Sequence, residues 1–210
     1  MKKLLIATTN PGKLAEITRF LSDIPVKIVS LSDLKISEKV EETGKTFEEN
    51  AILKAKFYAQ KSGLPTIADD GGAEIDALGG EPGVKTRRWI HADRDSTDEE
   101  LIDYTLEKLK GIPLQDRGMQ LRAVIVLVLP GGKYYTATAK IRGIIAVKPS
   151  PQRHLGFPFR SLMYIPELGK FYNHDLMSPQ ENEQYNHRKR ALEELKPIIK
   201  SILTTRVGKE

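Results

Sequence analysis

Asp69, Asp70, Glu74 and Asp76 fall in one segment, "IADDGGAEIDALGGEPGVKTRRW", together with Lys85, Arg87 and Arg88, and glycine pairs separate them. Adjacent carboxylates repel unless a cation or a shared proton compensates them. A divalent ion suits, because magnesium takes one or two carboxylates and completes its shell with phosphate oxygens and waters. Such an ion stabilises charge on a phosphoryl group and orients water. The carboxylates are therefore expected to hold a metal and a water, and the cations a polyphosphate; the alternative is an exposed loop in which Asp caps or turns.

Other segments could supply further walls. "ATTNPGK" puts Thr8, Thr9, Asn10 and Lys13 at a strand–loop–helix junction, where unpaired helix amides and the helix dipole attract phosphate. It is no Walker loop, having one glycine where that pattern has two. In "VEETGKTFEENAILKAK" most Glu and Lys residues read as a solvated helix face. Glu42 differs, preceding a Thr-Gly turn from which a carboxylate can point at a metal, and Lys54 sits among apolar neighbours, where it could reach into a cleft. In "GFPFR" two phenylalanines flank a proline, as a stacking wall for a base or as core. His187 and Arg188 of "NHRKR" could bond a carbonyl oxygen or a phosphate, or simply form a basic helix face.

The elements that must position these residues follow from periodicity. Residues 2–8 read as a buried strand, followed by a helix with Asn10 as N-cap, Pro11 at its first position and Leu14, Ile17 and Leu21 on one face. "VKIVSL" reads as a second strand, Thr46 to Lys61 as a helix, and Pro65 to Ala68 as a strand that ends in the glycine loop. "STDEELIDYTLEKLKG" begins with a capping box of Ser96 and Glu99 and stops at Gly111. "MQLRAVIVLVLP" and "KYYTATAKIRGIIAV" form a hairpin across a Gly-Gly turn. "SLMYIP" is a short strand, and the chain ends in a basic helix from about Asn186 to Leu203 with a kink at Pro197. This order implies an α/β fold, a long twisted mixed sheet with helices on its faces, with a cleft between two lobes.

Composition narrows the function class. The chain has 210 residues, 40% of them hydrophobic, and no cysteine. That length suits one domain, 1–210, with no repeat or linker. No apolar run reaches the ~20 residues that span a bilayer, so no membrane role is expected. The lack of cysteine removes disulfides and thiolate metal sites and suits a cytoplasmic protein. A net charge of +5 favours anionic partners.

Taken in order, "ATTNPGKLAEI", "EETGKTFEENAILKAK", "IADDGGAEIDALGGEPGVKTRRW", "GIIA" and "MSPQENEQYNHRKRALEELK" resemble the inosine triphosphate pyrophosphatase family, enzymes of non-standard purine nucleotides, over nearly the whole chain. The resemblance implies an elongated two-lobed α/β structure with a central cleft, usually a homodimer. It also implies magnesium-dependent hydrolysis of a nucleoside triphosphate such as ITP, dITP or XTP to monophosphate and pyrophosphate. By resemblance, Asn10 and Lys13 form a phosphate-binding loop, which Thr8 joins from its place at the same junction, and Glu42 and Asp70 bind metal, with Asp70 also activating water. Lys54 is a helix lysine of the site, Asp69 supports Asp70, Arg88 lies near the phosphates, and His187 and Arg188 read the base.

The sequence departs from that pattern mainly where the base is read. Phe157 takes the stacking position, but Arg160 stands where the family has an aspartate, turning an acceptor into a donor. Gly71 replaces a serine, Asn182 a lysine and Asn186 the serine before His187. The hydrolytic half is nearly intact, whereas the base-reading half is rewritten. Arg160 either moves base preference toward acceptors or turns to the phosphates in place of the lysine missing at Asn182. Two competing readings are a non-hydrolysing nucleotide sensor, which has little use for paired carboxylates, and a nucleic-acid-binding domain on the basic last helix. Glu193 and Glu194 on that helix count against nucleic acid.

Overall fold

Leu4, Leu5 and Ile6 are fully buried, as an unbroken apolar run requires when both sheet faces are covered. They make strand β1 (Lys3–Ile6) in a computed structural model that describes residues 2–204, Thr204 by its backbone alone. The strand is shorter than expected because the chain turns at Thr8, whose Oγ1 accepts the Asn10 N–H. β1 pairs in parallel with β2 (Lys27–Ser30) and with β3 (Thr66–Ile75). Parallel neighbours need crossovers, and helices α1 (Pro11–Phe20) and α2 (Phe47–Ser62) supply them. Asn10 and Pro11 start α1 as expected. Thr46 caps α2 by accepting the Glu49 N–H, and Gly63 ends it in the left-handed region at φ 67°.

Two expectations about elements need correction. β3 does not stop before the aspartates but runs through Asp69, Asp70, Gly71 and Gly72 to Ile75. The turning glycines are the next pair, Gly79 and Gly80, at φ 62° and 92°. Helix α3 (Asp98–Lys108) takes its capping box from Thr97 and Glu100, not from Ser96 and Glu99, because the Ser96 N–H and C=O are engaged with Arg87. A separate short helix, α4 (Pro179–Tyr185), with its own Ser178–Glu181 capping box, precedes the last helix α5 (His187–Thr204), which continues through Pro197.

β4 (Gly118–Val128) and β5 (Tyr134–Ile145) are sheet neighbours joined through a turn in which Leu129 and Lys133 are hydrogen-bonded. The short strands β6 (Met163–Ile165) and β7 (Lys170–Phe171) extend the sheet antiparallel. The sheet is mixed and seven-stranded, in the order β2-β1-β3-β4-β5-β6-β7, with helices packed on it: the expected α/β class.

The chain forms two compact units. The first comprises residues up to 70, 123–139 and from 188; the second comprises 71–122 and 140–187. In the first, Ile17, Phe20 and Leu21 of α1 pack with Leu4, Ile6 and Ile67 of the strands and with Leu192, Leu195 and Ile199 of α5. In the second, Ile102 of α3 joins Met119, Leu121, Ile141 and Ile145 of the long strands and Met163, Ile165 and Tyr172 beyond them. No helix of the described residues is long and apolar enough to cross a membrane.

Candidate active site

In the first unit, β3 places Asp69 in the core at 1% exposure. Its carboxylate accepts from Arg188 Nε at 3.0 Å and pairs with the Lys13 ammonium. Burial alone would push its pKa up, but Arg188 and Lys13 overcome that and hold it far below the ordinary carboxylate value. Arg188, 4% exposed, also donates Nη1 to Glu16 at 2.6 Å. Its two carboxylate partners keep the guanidinium charged despite burial. Where the family likeness implies that Arg188 reads a base, the structure turns it toward Asp69 and Glu16. Sequence reading passed over Glu16; the available signal was its place one helical turn after Lys13 and beside buried Ile17.

Asp70, next along the strand, is half-buried, and its Oδ2 is buried with no hydrogen-bond partner. Burial raises its pKa to about 6; Lys54 and Lys13 oppose the rise, and Glu42 and Asp69 add to it. Lys54 donates to Glu42 Oε1 at 2.8 Å and to the Asp69 carbonyl at 3.3 Å. Burial works against its ammonium, but Asp70 and Glu42 more than offset this and raise its pKa. Glu42 keeps its side chain 40% exposed. Asn50, buried in α2 and also overlooked in the sequence, accepts the Gly44 N–H at 2.7 Å and so ties the loop that carries Glu42 to the helix.

Thr8, Asn10 and Lys13 meet in the same unit, but not as expected. Asn10 Oδ1 accepts the N–H groups of Gly12 and Lys13 at 2.9 and 3.1 Å. The helix amides expected to face phosphate are thus bonded within the chain, and the cation this loop brings is Lys13.

The rest of the predicted set lies in the second unit. Glu74 is bidentate with Arg122, and Asp76 pairs with Arg142. This corrects the expectation that every carboxylate of the opening segment faces a metal. Arg87 bonds Asp98 and the Gly156 carbonyl; Arg88 is 61% exposed, with Asp95 at 3.7 Å. Gly71 sits in extended β3. Arg160 is 3% exposed and packs its guanidinium over the rings of Phe157 and Tyr172, 4.0 and 5.2 Å from their centroids. His187 Nδ1 and the Tyr172 hydroxyl are 2.9 Å apart. Asn182 spends its amide donors on the carbonyls of His174, Met177 and Ser178, and Asn186 caps α4.

The first unit therefore joins a partnerless buried carboxylate oxygen, a half-exposed glutamate and two lysines. Charge of both signs in a partly desolvated setting suits binding and cleavage of an anionic anhydride. Comparison with known proteins points the same way. A model described as the Ham1 family matches residues 4–198. The dITP/XTP pyrophosphatase of Geobacter sulfurreducens is 38% identical over 93% of this chain and 96% of its own length. That of Bacillus subtilis is 35% identical over 96% and 98%. The solved structure of a HAM1 protein from Coxiella burnetii superposes with a TM-score of 0.80 at 32% identity, covering 96% of this chain and all of that one.

Proposed function

Because the chain belongs to the Ham1 family, we propose that it is a nucleoside triphosphate pyrophosphohydrolase cleaving dITP, XTP or ITP to the monophosphate and pyrophosphate. The observation that carries this reading is the unpartnered, buried Oδ2 of Asp70, beside Lys54 and Lys13 and with an elevated pKa. A carboxylate so placed accepts a proton well at neutral pH. Water, oriented by Asp70 and losing its proton toward it, attacks the innermost phosphorus. The bond from that phosphorus to the bridging oxygen breaks, and pyrophosphate leaves. Lys13, Lys54 and Arg88 offset phosphate charge, and the Thr8–Asn10 turn sets where Lys13 stands. Asp69, clamped by Arg188 and Lys13, fixes the strand from which Asp70 projects.

The donors fit magnesium: Glu42 and Asp70 offer carboxylate oxygens alone, and one of those oxygens is buried without a partner. Magnesium held there would neutralise charge on the phosphoryl oxygens and the leaving pyrophosphate. We further assign the whole chain to one catalytic domain, working as a cytoplasmic homodimer on the free nucleotide pool.

Phe157, Arg160, Gly71 and His187 are the proposed nucleoside contacts. Arg160 favours a shifted base preference over a phosphate role, because it is buried against Phe157 and Tyr172 and not extended into solvent. Pyrophosphate release from ITP, dITP, XTP, dUTP and the four common triphosphates, with magnesium, tests the assignment. Monophosphate plus pyrophosphate from the purine set supports it. Orthophosphate as the product, or no turnover of any of them, refutes it. An unchanged ranking in Arg160→Ala would remove Arg160 from base selection.

A further inference from the structure

Outside the residues assigned above, His154, His174 and Asp175 converge in the second unit. Each offers one ligand atom, and the three atoms lie within 4.8 Å of one another. His174 Nε2 is 3.1 Å from Asp175 Oδ1. That is close to the ~3.3 Å edge of a tetrahedron whose ligands stand ~2.0–2.1 Å from zinc. The rings of His154 and His174 meet edge to face, with centroids 4.5 Å apart. Asp175 is 70% exposed, so its carboxylate can reorient toward an ion at little cost.

We propose that these three side chains bind a divalent transition-metal ion of the zinc, cobalt or nickel type, distinct from the magnesium of the catalytic unit. Imidazole nitrogen selects such ions, whereas the all-oxygen pair Glu42 and Asp70 suits magnesium. Three protein ligands leave the fourth tetrahedral position to water or an anion. The ion would tie the segment before Phe157 to the turn His174–Leu176, which follows β7.

One neighbour opposes binding. Arg160 Nη1 lies 3.4 Å from His174 Nδ1, on the far side of the ring. When Nε2 takes a metal, Nδ1 carries the proton and faces that donor, so the guanidinium must shift. The affinity is accordingly lower than for a ligating histidine backed by a carboxylate.

The test is titration of the full chain with cobalt(II) in excess magnesium, read by visible absorption. Tetrahedral cobalt with two imidazoles absorbs far more strongly than cobalt in a six-coordinate oxygen site. One equivalent should develop the strong band. His154→Ala and His174→Ala should lose it, Asp175→Asn should weaken it, and Asp70→Asn should keep it. No strong band in the wild type, or an undiminished band in both histidine variants, overturns the proposal. Electron paramagnetic resonance of the copper(II) form needs no variant: two coordinated imidazole nitrogens are expected, and none would refute the site. Neither readout depends on nucleotide turnover, so failure here leaves the pyrophosphatase reading untouched.

Discussion

Asp69 and Asp70 are chemically identical neighbours whose pKa values are driven in opposite directions, one held low by Arg188 and Lys13 and the other lifted to about 6, chiefly by burial. For Asp70 the native state binds a proton more tightly than the unfolded chain between about pH 4 and pH 6. Stability from that proton is fully present below about pH 4 and is lost as pH rises through 6. In metal-free protein, Asp70→Asn should therefore match the wild type near pH 4. By pH 8 it should gain on it by about 3 kcal/mol, at ~1.4 kcal/mol per pH unit, as urea melts at the two pH values will show. Arg188 and Arg88 make a second contrast. Glu16→Ala strips one carboxylate from a buried guanidinium and should cost roughly 3 kcal/mol. Arg88→Ala removes an exposed charge and should change stability by no more than ~0.5 kcal/mol. The motifs made Asp70, Glu42, Lys54 and Lys13 legible because each residue type announces its chemistry. Glu16 and Asn50 were not, because a buried polar residue on a helix reads as surface until its partner is known: Arg188, far along the chain, for Glu16, and the Gly44 N–H of the preceding loop for Asn50.

At the level of elements, the loop before α2 decides where Glu42 stands. A Cβ on Gly44 would meet Asn50 Oδ1 at 2.6 Å and Glu49 Cβ at 2.7 Å, and the helix start cannot yield to it. Gly44→Ala should shift that loop, raise the magnesium concentration needed for half-maximal rate, and lower turnover on the order of tenfold to a hundredfold. A magnesium titration of activity checks this. The strand–helix order, the cap of α1 and the hairpin were readable because each is encoded within a few residues by apolar periodicity, Asn-Pro or Gly-Gly. The course of β3 was not. Paired glycines and aspartates look like a loop in isolation, and only pairing within the sheet holds Asp69 to Gly72 extended. Likewise, Ser96 looked like a cap until Arg87 engaged its backbone.

For the molecule as a whole, each compact unit has its own apolar core, and β3, β4 and β5 contribute residues to both units. The α/β class and a two-lobed organisation were legible from the order of elements; where the two units divide was not, because three of the cuts fall inside the continuous strands β3, β4 and β5 and the fourth at the start of α5, where composition does not change. The proposed homodimer predicts a solution mass of twice 23.6 kDa by light scattering, and a monomeric mass would contradict it. The proposed role of Asp70 is to serve water in cleaving the triphosphate chain. It is tested most directly by the rate of pyrophosphate release from dITP by Asp70→Asn and wild type at saturating magnesium and nucleotide. A loss of about 10²–10⁴-fold in kcat is expected, with dITP binding within a few-fold of wild type. A variant that turns over at the wild-type rate would contradict it.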